Sequence, residues 1–68
     1  MDVNEQAAAL MEQALAAADK PTKHSLIRRA AALYDQAVNE GRITMRDAFR
    51  GKRDLIDRYL AAAALIRQ

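Results

Sequence analysis

Sixty-eight residues with no cysteine leave room for one small domain at most, with no disulfide and no thiolate metal site to staple it. The net charge of +2 conceals a split: residues 1–19 carry four acids and no base, and all eleven lysines and arginines follow, against five acids. No apolar run approaches the roughly 20 residues of a membrane span, and the acidic start is unlike a signal peptide, so a cytoplasmic protein without a membrane span is expected.

Sixteen alanines, abundant Leu, Arg, Gln and Glu, two glycines and one proline favour helix throughout. The first helix is predicted over 3–18. Asp2 is its expected N-cap, with Glu5 at the capping-box position. Val3, Ala7, Leu10, Ala14 and Ala17 form a 4-3 seam flanked by Met11, Leu15 and Ala18. Glu5, Glu12 and Asp19, seven apart, fall on the far face and should meet solvent.

The turn Asp19-Lys20-Pro21-Thr22 interrupts the helical pattern, because an interior proline forfeits a backbone hydrogen bond. Thr22 is the expected N-cap of a second helix over 23–39, with Ser25 as the competing position. This helix contains LIRRAAALYDQAV at 26–38. Leu26, Ala30, Leu33 and Ala37 repeat at 4-3-4, and so do Ile27, Ala31, Tyr34 and Val38 one residue on. Together they cover an arc of about 160°, wider than the roughly 100° that one contact needs. The second helix should therefore sit between two neighbours. Gly41 is placed to end it in the left-handed C′ conformation.

The third helix is predicted over 45–66. Thr44 is its N-cap, Asp47 stands three residues on, and Ile43 can staple against Ala48. Its apolar face is Met45, Ala48, Phe49, Leu55, Ile56, Tyr59, Leu60, Ala63 and Ile66. Gly51 costs about 1 kcal/mol relative to Ala there, so it marks close packing or a kink. Lys52 falls inside the apolar arc, where snorkelling past the edge is the expected escape and a pair with a neighbouring acid the alternative. The whole is an all-α, small three-helix antiparallel bundle spanning 1–68 as one helical domain. The alternative is a helical hairpin completed by dimerisation.

Catalysis has almost nothing to work with. The only His and the only Ser, His24 and Ser25, are neighbours whose helical directions differ by about 100°. Asp47, Asp54 and Asp57, interleaved with Arg50, Arg53 and Arg58, read as intrahelical ion pairs rather than metal ligands. No enzyme activity, cofactor or metal is expected, and His24 reads as an exposed side chain.

Binding has more. Arg42, Arg46, Arg50 and Arg53 form a basic group, and the last three, spaced 4 and 3, stand in a row beside the apolar face. Such a row suits phosphates or an acidic peptide. Ala37 four residues before Gly41 gives the second and third helices a faint helix-turn-helix look, with Arg46 and Arg50 at the start of the would-be recognition helix. The apolar arcs of the first and third helices, about 140° each, exceed what three helices cover. That leaves a groove for an amphipathic partner or a dimer face.

Two family resemblances follow from these residues. AAALMEQA at 7–14, with Ala7, Leu10 and Ala14, LYDQAV at 33–38, with Tyr34 and Ala37, and the close Tyr59-Leu60, Ala63, Ile66 resemble the three helices of a microtubule-interacting and trafficking (MIT) domain. Ala64 stands where that family usually has an acid, and the first connection differs. The resemblance implies a three-helix bundle that binds a partner helix in a groove. GRITMRDAFRGKRDLI at 41–56 is similar to the short SHOCT module, with Phe49 one residue late, and implies an oligomerisation or interaction element.

The functional expectation is a non-enzymatic protein–protein interaction module, a small regulator or adaptor. Its partner-binding residues are Arg42, Arg46, Phe49, Arg50, Arg53, Ile56 and Leu60. The partner is a protein presenting a helical or acidic segment, or a second copy in a homodimer. The alternative is a nucleic-acid-binding regulator that uses the basic row.

Overall fold

The computed structural model describes residues 2–67, with side chains over 2–65. Three helices fill it: α1 (Val3–Ala16), α2 (Lys20–Asn39) and α3 (Met45–Arg67). They pack compactly, and the described residues contain no strand. Ile66, expected on the apolar face of the third helix, has a side chain outside the described set.

The caps explain the boundaries. Asp2 Oδ1 accepts the Glu5 amide at 2.9 Å, as the sequence predicts. α1 then stops at Ala16 rather than Ala18, and Ala17 is extended. The reason lies in the next helix. Its N-cap is Asp19, not Thr22 or Ser25, and a cap residue must be approached by extended chain. The Asp19 carboxylate accepts both the Thr22 amide at 3.0 Å and the Thr22 hydroxyl at 2.8 Å. These bonds hold the Asp19 carboxyl below its usual value. Lys20 and Pro21 therefore lie inside the first turn of α2, where a proline has no hydrogen bond to lose. Lys23 Nζ donates to the Ala14 and Leu15 carbonyls at 3.3 and 3.2 Å, closing the open end of α1.

The α2–α3 connection follows the sequence closely. Gly41 has φ 73°, its amide donates to Val38 O at 3.0 Å, and the Arg42 amide donates to Ala37 O at 2.9 Å. This is the Schellman pair of bonds, which requires a left-handed residue at C′. Thr44 and Asp47 form the reciprocal capping box: the Asp47 amide donates to Thr44 Oγ1 at 3.1 Å, and the Thr44 amide to Asp47 Oδ2 at 3.5 Å. Ile43 is half-buried against the core, and Ala48 is buried.

Long-range contacts set the helix directions. Lys23 reaches the end of α1 and the Tyr34 hydroxyl reaches Asn4 at its start, so α1 and α2 are antiparallel. Asp35 meets Lys52, and His24 meets Tyr59 edge-on with ring centroids 6.1 Å apart, so α2 and α3 are antiparallel as well. α2 is the middle element: it packs most extensively on α1 and next on α3, while α1 and α3 touch least.

The core is thin. Among the described residues, five of the nine buried side chains are alanine: Ala7, Ala14, Ala30, Ala37 and Ala48. The others are Val3, Met11, Tyr34 and Leu55. Met11, expected on the flank, is the large side chain at the centre, while Leu10 is half-buried. Gly51 packs against Tyr34 so closely that a Cβ would overlap the ring, which settles its role as close approach.

Candidate functional site

α3 has two apolar sectors, and only one is covered. Ala48 and Leu55 are buried, and Tyr59 packs half-buried against the core. Turned by about a quarter of a circle from them, Met45 is 78% exposed, Phe49 67%, Ile56 55% and Leu60 58%. These four lie within about 60° of arc and run about 22 Å along the helix. A neighbour could bury this row, but α1 and α2 are both already spent on the other sector.

Lys52 belongs to the edge of the row by its helical direction. Snorkelling free into solvent, the expected escape, gives way to the alternative: its Nζ meets an acid of the neighbouring helix, Asp35 Oδ1 of α2, at 2.6 Å. The pair is itself exposed, with side chains 37% and 61% accessible, so its contribution is small. Its effect is positional, because it draws the ammonium toward α2 and away from Phe49 and Ile56. A shallow cleft of about 400 Å³ beside it is lined by Val38 and Ala48 as well as Met45 and Phe49, so the row opens onto the α2–α3 groove.

The four predicted arginines separate. Arg46 and Arg53 border the exposed row, one turn-flank away. Arg50 lies further round, in a cleft of about 370 Å³ with Asn4, Tyr34, Asp47 and Asp54. Arg42 sits in the α2–α3 turn and pairs with Glu40 at 3.2 Å. Of the three aspartates read as intrahelical partners, Asp47 accepts from the Thr44 amide in the cap of α3, and Asp54 forms the one intrahelical pair seen among the described residues, with Arg58 at 3.1 Å. Among the described residues Arg46, Arg50 and Arg53 take part in no ion pair. The structure thus brings together Arg46, Phe49, Arg53, Ile56 and Leu60, and leaves Arg42 and Arg50 outside that group.

Met45 joins the row without having been picked out as a binding residue. Its signal was available: it stands four residues before Phe49 in the same 4-3-4 register. Tyr34 and Asn4 form the other polar feature. The Tyr34 hydroxyl donates to Asn4 Oδ1 at 2.8 Å, and burial first, with Asp54 second, pushes the phenol up from its usual range. This contact fixes the start of α1 to the middle of α2. No group of three or more His, Cys, Asp or Glu side chains able to hold a metal ion gathers among the described residues, and none of their helices is long and apolar enough to cross a membrane.

No family model matches the chain, and no curated protein or solved structure does either, so the MIT and SHOCT resemblances rest on the quoted residues alone.

Proposed function

We propose that this chain is a non-catalytic interaction module that binds a protein partner along the outer face of α3. The observation that carries the reading is the row Met45, Phe49, Ile56, Leu60, exposed on α3, with Arg46 and Arg53 beside it in no ion pair among the described residues. Apolar side chains held this far into water by a thin core are the ordinary mark of an interface. The adjacent arginines add steering and register without having to leave another carboxylate first.

Nucleic acid is less well supported. α2 and α3 run antiparallel and side by side, with contacts at His24–Tyr59 and at Asp35–Lys52. A helix-turn-helix instead crosses its helices at roughly 90–120° to present the second one. Arg42 is also paired with Glu40, and the row supplies one aromatic, Phe49, for stacking.

The test is a photo-crosslinking residue at position 49, introduced into the protein in its native host, with the attached species identified by mass. Crosslinking to a protein supports the module, and substitution of Phe49 and Ile56 by Ser should abolish native binding while helical circular dichroism is kept. Crosslinking to nucleic acid, or binding unaffected by those substitutions, would refute it.

A further inference from the structure

The exposed face of α3 has a counterpart within the same chain. α1 carries no lysine or arginine, and its outward side is acidic. Glu5 and Glu12 are exposed there, seven residues apart, and so are Ala9 and Ala16. On α3 the arginines Arg46 and Arg53 are seven apart, and so are Phe49 and Ile56. Seven residues are two helical turns, about 10.5 Å, so all four pairs repeat at the same interval along their helices.

Register and hand agree as well. Arg46 aligned with Glu5 sets Arg53 against Glu12, and the same alignment brings Phe49 level with Ala9 and Ile56 with Ala16, within one residue. Viewed from the N-terminus of each helix, the arginines stand clockwise of Phe49 and Ile56, and the glutamates stand anticlockwise of Ala9 and Ala16. Two parallel helices laid face to face join those flanks; two antiparallel helices part them. The alanines present a low surface on which large side chains can lie, at the close end of the 8–10 Å helix spacing.

We propose that α3 of one molecule docks in parallel on the acidic outer face of α1 of a second copy. The inference rests on the α3-face reading and names its partner. A molecule cannot satisfy its own row this way, because the other side of its α1, with Val3, Ala7, Met11 and Ala14, is already in the core. The two surfaces differ, so the contact is head-to-tail: an open assembly leaves an unused α1 and an unused α3 at its ends, and a rotation that closes makes a ring. A symmetric α3–α3 dimer is disfavoured: pairing Met45 with the partner's Leu60 and Phe49 with the partner's Ile56 brings Arg53 beside the partner's Arg53 near the axis.

Sedimentation velocity of the full chain decides the matter. From about 10 µM to about 1 mM, the mean mass should climb from that of the 7.6 kDa monomer, and raising salt from about 0.02 M to about 0.5 M should weaken the association. The double substitution Arg46→Glu with Arg53→Glu, and separately Glu5→Lys with Glu12→Lys, should each weaken association by about tenfold or more. Mixing those two variants, or combining all four changes in one chain, should restore it. All four positions are exposed, so folding is checked by circular dichroism, and Phe49→Ser supplies an independent loss of the same contact.

A parent that stays monomeric throughout overturns the inference. So does association that ignores charge reversal, or mixing that restores nothing. Anionic vesicles or duplex DNA captured by a monomeric parent would overturn it too. Failure here is distinguishable from failure of the α3 reading. A monomer whose position 49 still crosslinks to a different protein keeps the docking face and loses only the second copy as its occupant.

Discussion

Helix propensity and packing make opposite predictions at Gly51. Placed in the interior of α3, glycine costs about 1 kcal/mol relative to alanine, so propensity alone expects Gly51→Ala to stabilise by that amount. The structure expects the reverse. A Cβ at this position would enter the ring of Tyr34, which is buried and anchored by its hydroxyl to Asn4 at 2.8 Å. Overpacking of this kind costs about 1–3 kcal/mol, and a ring that yields by swinging outward gives up a hydrogen bond of about 1 kcal/mol as well. After the propensity gain is set against these, the net loss is about 1–3 kcal/mol. That is a large part of the roughly 3–10 kcal/mol that a chain of this length holds. Thermal unfolding followed by circular dichroism should show Tm falling by about 5–15 °C. A double-mutant cycle locates the cause: in a Tyr34→Leu background the penalty for Gly51→Ala should shrink by about 1 kcal/mol or more, because the colliding ring is gone. A Tm that rises in Gly51→Ala, or a penalty unchanged in the Tyr34→Leu background, would refute the close approach of α3 to Tyr34.

Four further outcomes are expected. Gly41→Val should destabilise by more than about 1 kcal/mol in urea melts; nothing crowds a Cβ there, so the cost is that of forcing a β-branched residue to φ 73°. Lys52→Met should change stability by less than about 1 kcal/mol, since its pair with Asp35 is exposed, and a larger loss would mean the ammonium does more than the geometry allows. Because folding depresses the Asp19 carboxyl, its contribution is present above the unfolded value near 3.9 and disappears as pH falls through the lower folded value; Asp19→Asn, which keeps a capping oxygen, should show a weaker fall in Tm between about pH 5 and pH 2 than the parent. Tyr34 has the opposite sign: its raised phenol contributes stability present below about pH 10 and lost as pH climbs through the folded value, so Tyr34→Phe should unfold less steeply in alkali.

Much of this fold is legible in the chain because the deciding interactions are local. Asp2 with Glu5, Thr44 with Asp47, and the Gly41 turn each close a hydrogen bond over three to five residues, and all three appear where the residue types place them. The arc of α2 is also local information, and its width is enough to put α2 between α1 and α3. The limit of α1 was less legible, since a run of alanines carries no stop signal. Only the competition of Asp19 against Thr22 as a cap, decided by a carboxylate that accepts from both the Thr22 amide and hydroxyl, ends α1 at Ala16.

The candidate site belongs to the tertiary structure. Periodicity lists the apolar residues of α3 as one face and has no means of dividing them. The division into buried Ala48 and Leu55 and exposed Met45, Phe49, Ile56 and Leu60 depends on how much surface α1 and α2 can offer. With five alanines in the core the helices sit close and cover a narrow strip, so half of the α3 arc is left in water. The same holds for one charge: Lys52 finds Asp35 across the groove, a partner that only packing brings within reach. Arg42 with Glu40, two residues apart, and Asp54 with Arg58, four apart on one helix, are local pairs, the second of the intrahelical kind the sequence predicts. Helix type and helix ends follow from bonds between near neighbours in the chain; coverage is a property of areas that meet only after the helices have packed.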